Sequence, residues 1–514
     1  MARWFPGRRL SWVRLLALIL VVALLAVGVW WSWASWQDRQ AAQERTPWTD
    51  GYVDVTATPT FAFEAAGEEG AAKNIALAFI VSGGACEPTW GGAYTLDEAG
   101  TQLDLDRRLE RLRDLGGSAM VSFGGQRNES LARVCTDHTE LTQAYRAVID
   151  RYRVLAIDMD VEGDMLADAP AIARQATAVA AVQGGRRSEG TGLDVWLTLP
   201  IAPTGLTPEG VNAVRTYLDA GVDLAGVNAM TMNFGTDSAD DAMGETAIAA
   251  LEALHGQLDA LYREAELPLG SATLWSKISA TPMLGQNEVR SEVFTLADAK
   301  RLNRFANEQG MVRLSMWSLN RDRSCAENWP DHRQVSDSCS GVRQGDASFA
   351  AELLHSRDGQ IRHDPKSTEG LRPGSDVDDP AKSPYPIWAA AVAYPEGSKV
   401  VWRQNVYRAS WWTQGDTPDD PTAAAGANPW RLIGPVLAGE TPVPTPTLPS
   451  GALPGWDQGD TYERGDRVLF DGTGYEARWW TRGDSPDAAM VVPDASPWRP
   501  LTVDEIRGIE HAEK

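Results

Sequence analysis

The chain has 514 residues, more than one ordinary domain holds, so two to four domains are expected. Its formal net charge of −23 excludes a nucleic-acid partner, which would require a basic face, and fits a protein that meets solvent and neutral polymers. The four cysteines, Cys86, Cys135, Cys325 and Cys339, contain no C-x-x-C pair, and none of the six histidines is placed to complete a zinc site, so no metal or other cofactor is expected.

Tryptophan is the compositional outlier. Six of the 21 lie between Trp4 and Trp36, and nine lie after residue 387. Clustering at two ends implies two uses of the indole ring, at a membrane interface and in ligand stacking.

Residues 1–14 carry Arg3, Arg8, Arg9 and Arg14 and no acid, and residues 15–36 follow with no charge and a cluster at Trp30, Trp31, Trp33 and Trp36. A run of this length spans a hydrocarbon core of ~30 Å, and aromatic rings suit its outer interface. The bulky end lacks the small residues of a cleavage site, which predicts an uncleaved anchor with the rest of the chain outside the membrane. In an exported chain the expected disulfides are Cys86 with Cys135 and Cys325 with Cys339, one of three connectivities; four reduced thiols are the alternative.

From residue 48 to 355, short apolar runs alternate with amphipathic stretches. Eight strands are predicted, at 52–58, 75–81, 119–124, 154–162, 193–200, 225–234, 277–281 and 313–318. Helices are predicted between most of them, at 103–115, 140–152, 168–183, 207–220, 242–265 and 296–309. Eight strands with intervening helices over about 300 residues imply a (β/α)8 barrel, whose active site gathers at the C-terminal strand ends.

The fourth predicted strand carries the chemistry. In Ile157-Asp158-Met159-Asp160-Val161-Glu162 the carboxylates alternate with apolar residues, so a strand sets all three on one face. At ~3.3 Å per residue, Asp160 and Glu162 lie roughly 7 Å apart along the strand. Like charges this close raise at least one pKa, and a carboxyl that keeps its proton near neutrality suits a general acid for glycosidic cleavage.

Residues 356–384, rich in Asp, Pro, Gly and Ser, predict a linker. A gapless repeat follows. Trp388, Tyr394, Tyr407, Trp411, Trp412 and Trp430 recur 68 residues later as Trp456, Tyr462, Tyr475, Trp479, Trp480 and Trp498. Two small cysteine-free all-β modules are predicted, at 385–435 and 456–502, around a Pro/Thr-rich spacer at 436–455. Opposite pleat faces imply that each Trp-Trp pair puts one ring in a core and one in solvent.

The D-x-D-x-E run resembles the core motif of glycoside hydrolase family 18, the chitinases. Ser122-Phe123-Gly124-Gly125 resembles the family's third-strand S-x-G-G. Val227-Asn228-Ala229-Met230-Thr231-Met232 resembles its sixth strand, and Ser315-Met316-Trp317-Ser318 its eighth. The resemblance covers residues 50–325 or so. It implies hydrolysis of β-1,4 N-acetylglucosamine linkages with retention, assisted by the substrate's own acetamide, without a protein nucleophile. Glu162 is then acid and base, Asp160 orients the acetamide, and Asp158 tunes Asp160 by sharing a proton or hydrogen bond. Trp317 floors the sugar site, Met230, Met232, Asn233, Gly124 and Gly125 are candidate substrate contacts, and Ser122 is structural. The chain departs from the fuller motif: Leu155-Ala156 replace its opening Asp-Gly, Met232 stands where a Tyr is common, and Asn233 where an Asp is.

The repeats resemble carbohydrate-binding families 5 and 12, marked by Y-x-A-x-W-W-T and a later Trp. This resemblance implies sugar stacking by Tyr407, Trp411, Trp412, Trp430, Tyr475, Trp479, Trp480 and Trp498. The expected partners are therefore chitin and, through the anchor, a membrane; the expected form is a monomer. A surface chitin-binding protein with an inactive barrel and an endo-β-N-acetylglucosaminidase are the alternatives.

Overall fold

The computed structural model describes residues 46–362 apart from 59, 66–72 and 236–242, and residues 377–501 apart from 395, 421, 424–425, 443–447, 449–450, 471 and 487–495, with isolated positions outside these ranges. The chain divides into two compact units, Met1–Ser367 and Thr368–Lys514. The expected membrane segment at 15–36 lies largely outside the described residues. Among the described residues, no helix is long and apolar enough to cross a membrane.

The first unit holds eight parallel strands: β1 (Trp48–Asp54), β2 (Asn74–Ser82), β3 (Ser118–Gly124), β4 (Ala156–Asp160), β5 (Asp194–Ala202), β6 (Leu224–Met230), β7 (Ile278–Ala280) and β8 (Arg313–Leu314). They pair in the order β7-β6-β5-β4-β3-β2-β1-β8. The ring closes beyond the regular ladders, where the Ser315 N–H donates to the Ala280 carbonyl (2.8 Å) and the Trp317 N–H to that of Pro282 (2.9 Å). A (β/α)8 barrel results.

Among the described residues the six longest helices between the strands are α1 (Leu105–Asp114), α2 (His138–Tyr152), α3 (Ala169–Ser188), α4 (Pro208–Asp219), α5 (Met243–Glu264) and α6 (Leu296–Gln309). Their ends follow from capping. Asp137 accepts from the N–H groups of Thr139 and Glu140 at the start of α2. Thr295 and Asp298 form a reciprocal capping box on α6, which stops at Gly310 with φ of 80°. Between β1 and β2 the described residues hold only a 3-10 turn, Phe63–Ala65.

Pleating sorts each strand. Leu77, Val121, Ile157, Met159, Val195 and Val227 face the helices and join the main core, all at most 1% exposed. The opposite residues, among them Tyr52, Ala76, Met120, Ala156 and Trp196, fill the lower lumen. Ala156, one of the departures from the fuller motif, is therefore packing in the barrel floor. Both disulfides form as expected, Cys86 to Cys135 and Cys325 to Cys339.

The second unit contains two similar modules. Lys399–Trp402, Asn405–Ala409 and Trp430–Pro435 form one antiparallel sheet, and Arg467–Phe470, Thr473–Ala477 and Trp498–Pro500 its counterpart. Trp430 Nε1–H donates to the Asp416 carbonyl, and Trp498 Nε1–H to that of Asp484, both at 2.8 Å. Each ring is the centre of its module's core, edge-on to Tyr394 or Tyr462. Trp498→Ala is expected to cost about 3–5 kcal/mol, measured as lost amide-exchange protection across residues 467–500 with the barrel's protection unchanged.

Candidate active site

The polar layer of the lumen is built around Asp158, which is fully buried. Its Oδ2 accepts from Tyr52 Oη (2.8 Å) and Ser122 Oγ (2.7 Å). Its Oδ1 accepts from Thr198 Oγ1 (2.6 Å) and Arg313 Nη1 (3.3 Å). Arg313 also grips Asp50 through Nε (2.9 Å) and Nη2 (3.0 Å), and Ser315 Oγ donates to the same Asp50. Ser122 is thus structural, as expected. Among the described residues Asp158 makes no hydrogen bond to Asp160, which corrects the expected shared bond: its oxygens are already taken by four donors.

One pleat nearer the mouth, Asp160 is 4% exposed and its Oδ1 has no hydrogen-bond partner. Burial raises its pKa well above the ordinary carboxylate value, and the charges of Glu162 and Asp158 add to the rise, against Arg313. Glu162 lies beyond the last residue of β4, because the strand gives way to a short helix, Gly163–Ala167, which Glu162 caps with extended backbone. Burial pushes its carboxyl up to about 7; Glu288 repulsion adds to this, and a hydrogen bond from the Gln126 backbone opposes it.

Both carboxylates line a cavity of about 440 Å³ at the C-terminal strand ends. Trp317 lines it too, stacked on Phe79 with centroids 5.4 Å apart and near Tyr52 at 5.8 Å. Met230, Met232 and Asn233 are on the wall, with Met232 buried. β6 ends at Met230; beyond it Asn233 has a left-handed φ of 50°, and its Oδ1 accepts from the Glu288 N–H at 2.9 Å. This bond ties the β6 end to the loop after β7.

Gly124 and Gly125 do not reach the cavity. Gly124 has φ of 112°, and a Cβ there would lie 2.0 Å from the Asp160 carbonyl oxygen; a Cβ on Gly125 would meet the Phe79 ring. Their place as sugar contacts is corrected: they allow β3 and Phe79 to approach the carboxylate strand. Asp50, Tyr52, Thr198, Asn228, Arg313 and Glu288 were not expected in the site. Arg313, Ser315 and Trp317 alternate, so the period-2 pattern could have put Arg313 in the lumen beside Trp317.

The modules divide their aromatics differently from expectation. Trp411 and Trp412 are 45% and 52% exposed, and Trp479 and Trp480 are 43% and 63% exposed. Both rings of each pair are therefore open to solvent. Tyr407, Trp430, Tyr475 and Trp498 are buried in the module cores and present no open ring face.

Known proteins are similar to the chain over both units. The model of carbohydrate-binding module family 5/12 matches residues 455–499. The chain is 36% identical over 280 residues to the probable bifunctional chitinase/lysozyme of Escherichia coli (strain K12), covering 53% of this chain and 30% of that protein. It is 35% identical over 282 residues to endochitinase 11 of Metarhizium anisopliae, covering 54% and 52%. The chain thus spans about half or less of the length of these curated relatives. Active domain 2 of the chitinase from Pyrococcus furiosus is similar in structure, with 27% identity, a TM-score of 0.51, and coverage of 61% of this chain and 98% of that one. These matches bear out the resemblance to family 18 chitinases over the N-terminal three-fifths and to a family 5/12 module at residues 455–499.

Because Glu288 repulsion helps to hold the proton on Glu162, Glu288→Gln is expected to lower the Glu162 midpoint below about 7. The side-chain carboxyl ¹³C shift of Glu162, followed against pH, checks this.

Proposed function

We propose that the chain hydrolyses β-1,4 linkages between N-acetylglucosamine units of chitin, with its two C-terminal modules holding the polymer. The observation that carries this reading is the placement of Glu162 beside Asp160 above the Trp317–Phe79 stack in one cavity. The printed names of the relatives, a bifunctional chitinase/lysozyme and an endochitinase, support it.

In the first step Glu162 gives its proton to the glycosidic oxygen as the bond from that oxygen to the anomeric carbon breaks. The acetamide carbonyl oxygen of the same sugar forms the new bond to that carbon. Asp160 accepts from the acetamide N–H and offsets the positive charge that develops there. In the second step Glu162, now a carboxylate, takes a proton from water, whose oxygen displaces the acetamide oxygen. Two displacements on one carbon retain its configuration. Asp160 suits its role because its free Oδ1 is buried and lacks a partner until an N–H arrives.

Two disulfides support an oxidising compartment outside the cytoplasm. The uncharged run at 15–36 supports a membrane anchor, and its described residues Leu18, Ile19, Leu20, Val21 and Val22 are helical with side chains 50–63% exposed. The lysozyme half of one relative's name favours a second reading, cleavage of another N-acetylglucosamine polymer. Parallel assays on chitin oligomers and on peptidoglycan separate the two.

Glu162→Gln is expected to lower kcat on chitin oligomers by about 10²–10⁴-fold. An unchanged rate would remove Glu162 from the chemistry. In the parent protein kcat/KM should fall as pH rises through about 7, since the acid form of Glu162 is the donor. Replacing Trp479 and Trp480 together by Ala should weaken retention on chitin by about 10²-fold, as avidity from two linked modules is lost. Pull-down on insoluble chitin measures this, and the melting temperature should stay unchanged because both rings are exposed.

A further inference from the structure

We propose that the two C-terminal modules take different physical forms of one polymer: the first binds ordered chitin surfaces, and the second binds single hydrated chains. The inference rests on the reading above, in which the exposed tryptophan pairs hold the polymer.

The gapless repeat lets the surround of each pair be compared position by position. In both modules the chain just after the pair is laid against the same short loop. Thr413–Gln414 pairs with Ala393–Tyr394, and Thr481–Arg482 with Thr461–Tyr462. The second residue after the pair then reaches a loop carbonyl: Gln414 Nε2 donates to that of Ala391 (3.0 Å), and Arg482 Nε to that of Gly459 (3.3 Å). A Cβ on Gly415 or Gly483 would stand 3.9 Å from the Ala390 or Gln458 carbonyl oxygen, so the next residue lies on the loop as well. The two modules share this backbone frame.

The side chains carried on it differ. In the first module the loop is Ala389-Ala390-Ala391-Val392, all exposed, with Ser410 before the pair and Gln414 after it. None of these is charged. In the second module the same positions hold Asp457-Gln458-Gly459-Asp460, again all exposed, with Arg478 before the pair and Arg482 after it. The Arg478 guanidinium lies over the Trp479 ring, its Cζ 5.1 Å from the centroid, whereas Ser410 at the matching position is short and neutral. One anion is common to both and does not separate them: Asp416 and Asp484 accept from the hydroxyls of Thr413 and Thr481.

These surrounds meet a polymer differently. In an ordered chitin face neighbouring chains satisfy each other's hydroxyl and amide groups, and the face offers flat, dry contact. Two open indole rings edged by Ala and Val lose little by pressing against it. Arg and Asp side chains would give up water there and find no partner in return. A hydrated single chain leaves its hydroxyl and amide groups free. Arg478 and Arg482 then supply donors, and Asp457 and Asp460 acceptors, for the groups that flank a stacked sugar.

The test titrates full chains with one pair removed, Trp411→Ala with Trp412→Ala or Trp479→Ala with Trp480→Ala, on crystalline and on swollen chitin. The chain that keeps the first pair should have a ratio of crystalline to swollen affinity about tenfold above that of the other, the factor that roughly 1.4 kcal/mol of desolvation supplies. The loss of about 10²-fold expected on removing Trp479 and Trp480 then belongs to swollen chitin. In the chain that keeps the first pair, Ala389→Asp, Val392→Asp, Ser410→Arg and Gln414→Arg together should bring the ratio down to that of the second module. All four positions are exposed, so the melting temperature should stay that of the parent. Equal ratios in the two one-pair chains, or a first-module ratio that the added charges leave in place, would overturn the proposal and make the modules equivalent binders. If the fourfold variant does not fold, the two one-pair chains decide alone. Undiminished retention after removal of both pairs would instead sink the reading beneath.

Discussion

A single guanidinium in the middle of the barrel makes the rest of the lumen possible. Asp50 and Asp158 are both fully buried, and two carboxylates in a dry interior would repel each other and resist ionisation. Arg313 stands between them, with two bonds to one and one to the other. Its carbon Cζ lies 5.0 Å from the Trp196 ring centroid, 5.5 Å from that of Trp48 and 5.9 Å from that of Tyr52, so aromatic faces wrap the cation on several sides. Removing one partner of such a buried pair costs about 3–5 kcal/mol, because the remaining charge is left without an answer. Polar satisfaction at this level is what allows an apolar strand to carry a row of acids.

Above that layer the carboxylates become progressively less satisfied. Asp158 has four donors, Asp160 has an oxygen with none, and Glu162 shares the cavity with Glu288, whose charge opposes its own. A buried acceptor without a partner requires an explanation, and a catalytic role is one such explanation. The aromatic floor of Trp317 and Phe79 supplies an apolar face beneath the same point. The modules divide their tryptophans: Trp430 and Trp498 are buried in the cores, and the Trp411-Trp412 and Trp479-Trp480 pairs stay exposed to solvent.

Much of this was legible in the sequence. Alternation of apolar and polar residues finds all eight strands, although β1 runs 48–54 where 52–58 was expected, and the observed ladders are trimmed mainly at the C-terminal ends of β1, β4, β6 and β8. These are the ends where chain leaves the sheet to build the site, as Glu162 does in capping a helix and Asn233 in adopting a left-handed φ. Local pattern cannot foresee such departures, since tertiary partners decide them. The buried ion network was missed for a related reason: Asp50, Asp158 and Arg313 are far apart in sequence, and only barrel closure joins β1 to β8 and both to β4. Module aromatics were misdivided because pleat alternation does not hold at Trp411-Trp412 and Trp479-Trp480, which lie just outside the regular strands.

The central claim is that the substrate's own acetamide, positioned by Asp160 and not replaced by any protein nucleophile, carries the reaction through two displacements. Proton NMR of chitin-oligomer hydrolysis, recorded before the new reducing ends mutarotate, tests it most directly. Retention predicts that the β-anomer appears first and decays towards the equilibrium mixture. An initial α-anomer would mean one direct displacement by water, and would contradict the roles given to Asp160 and Glu162.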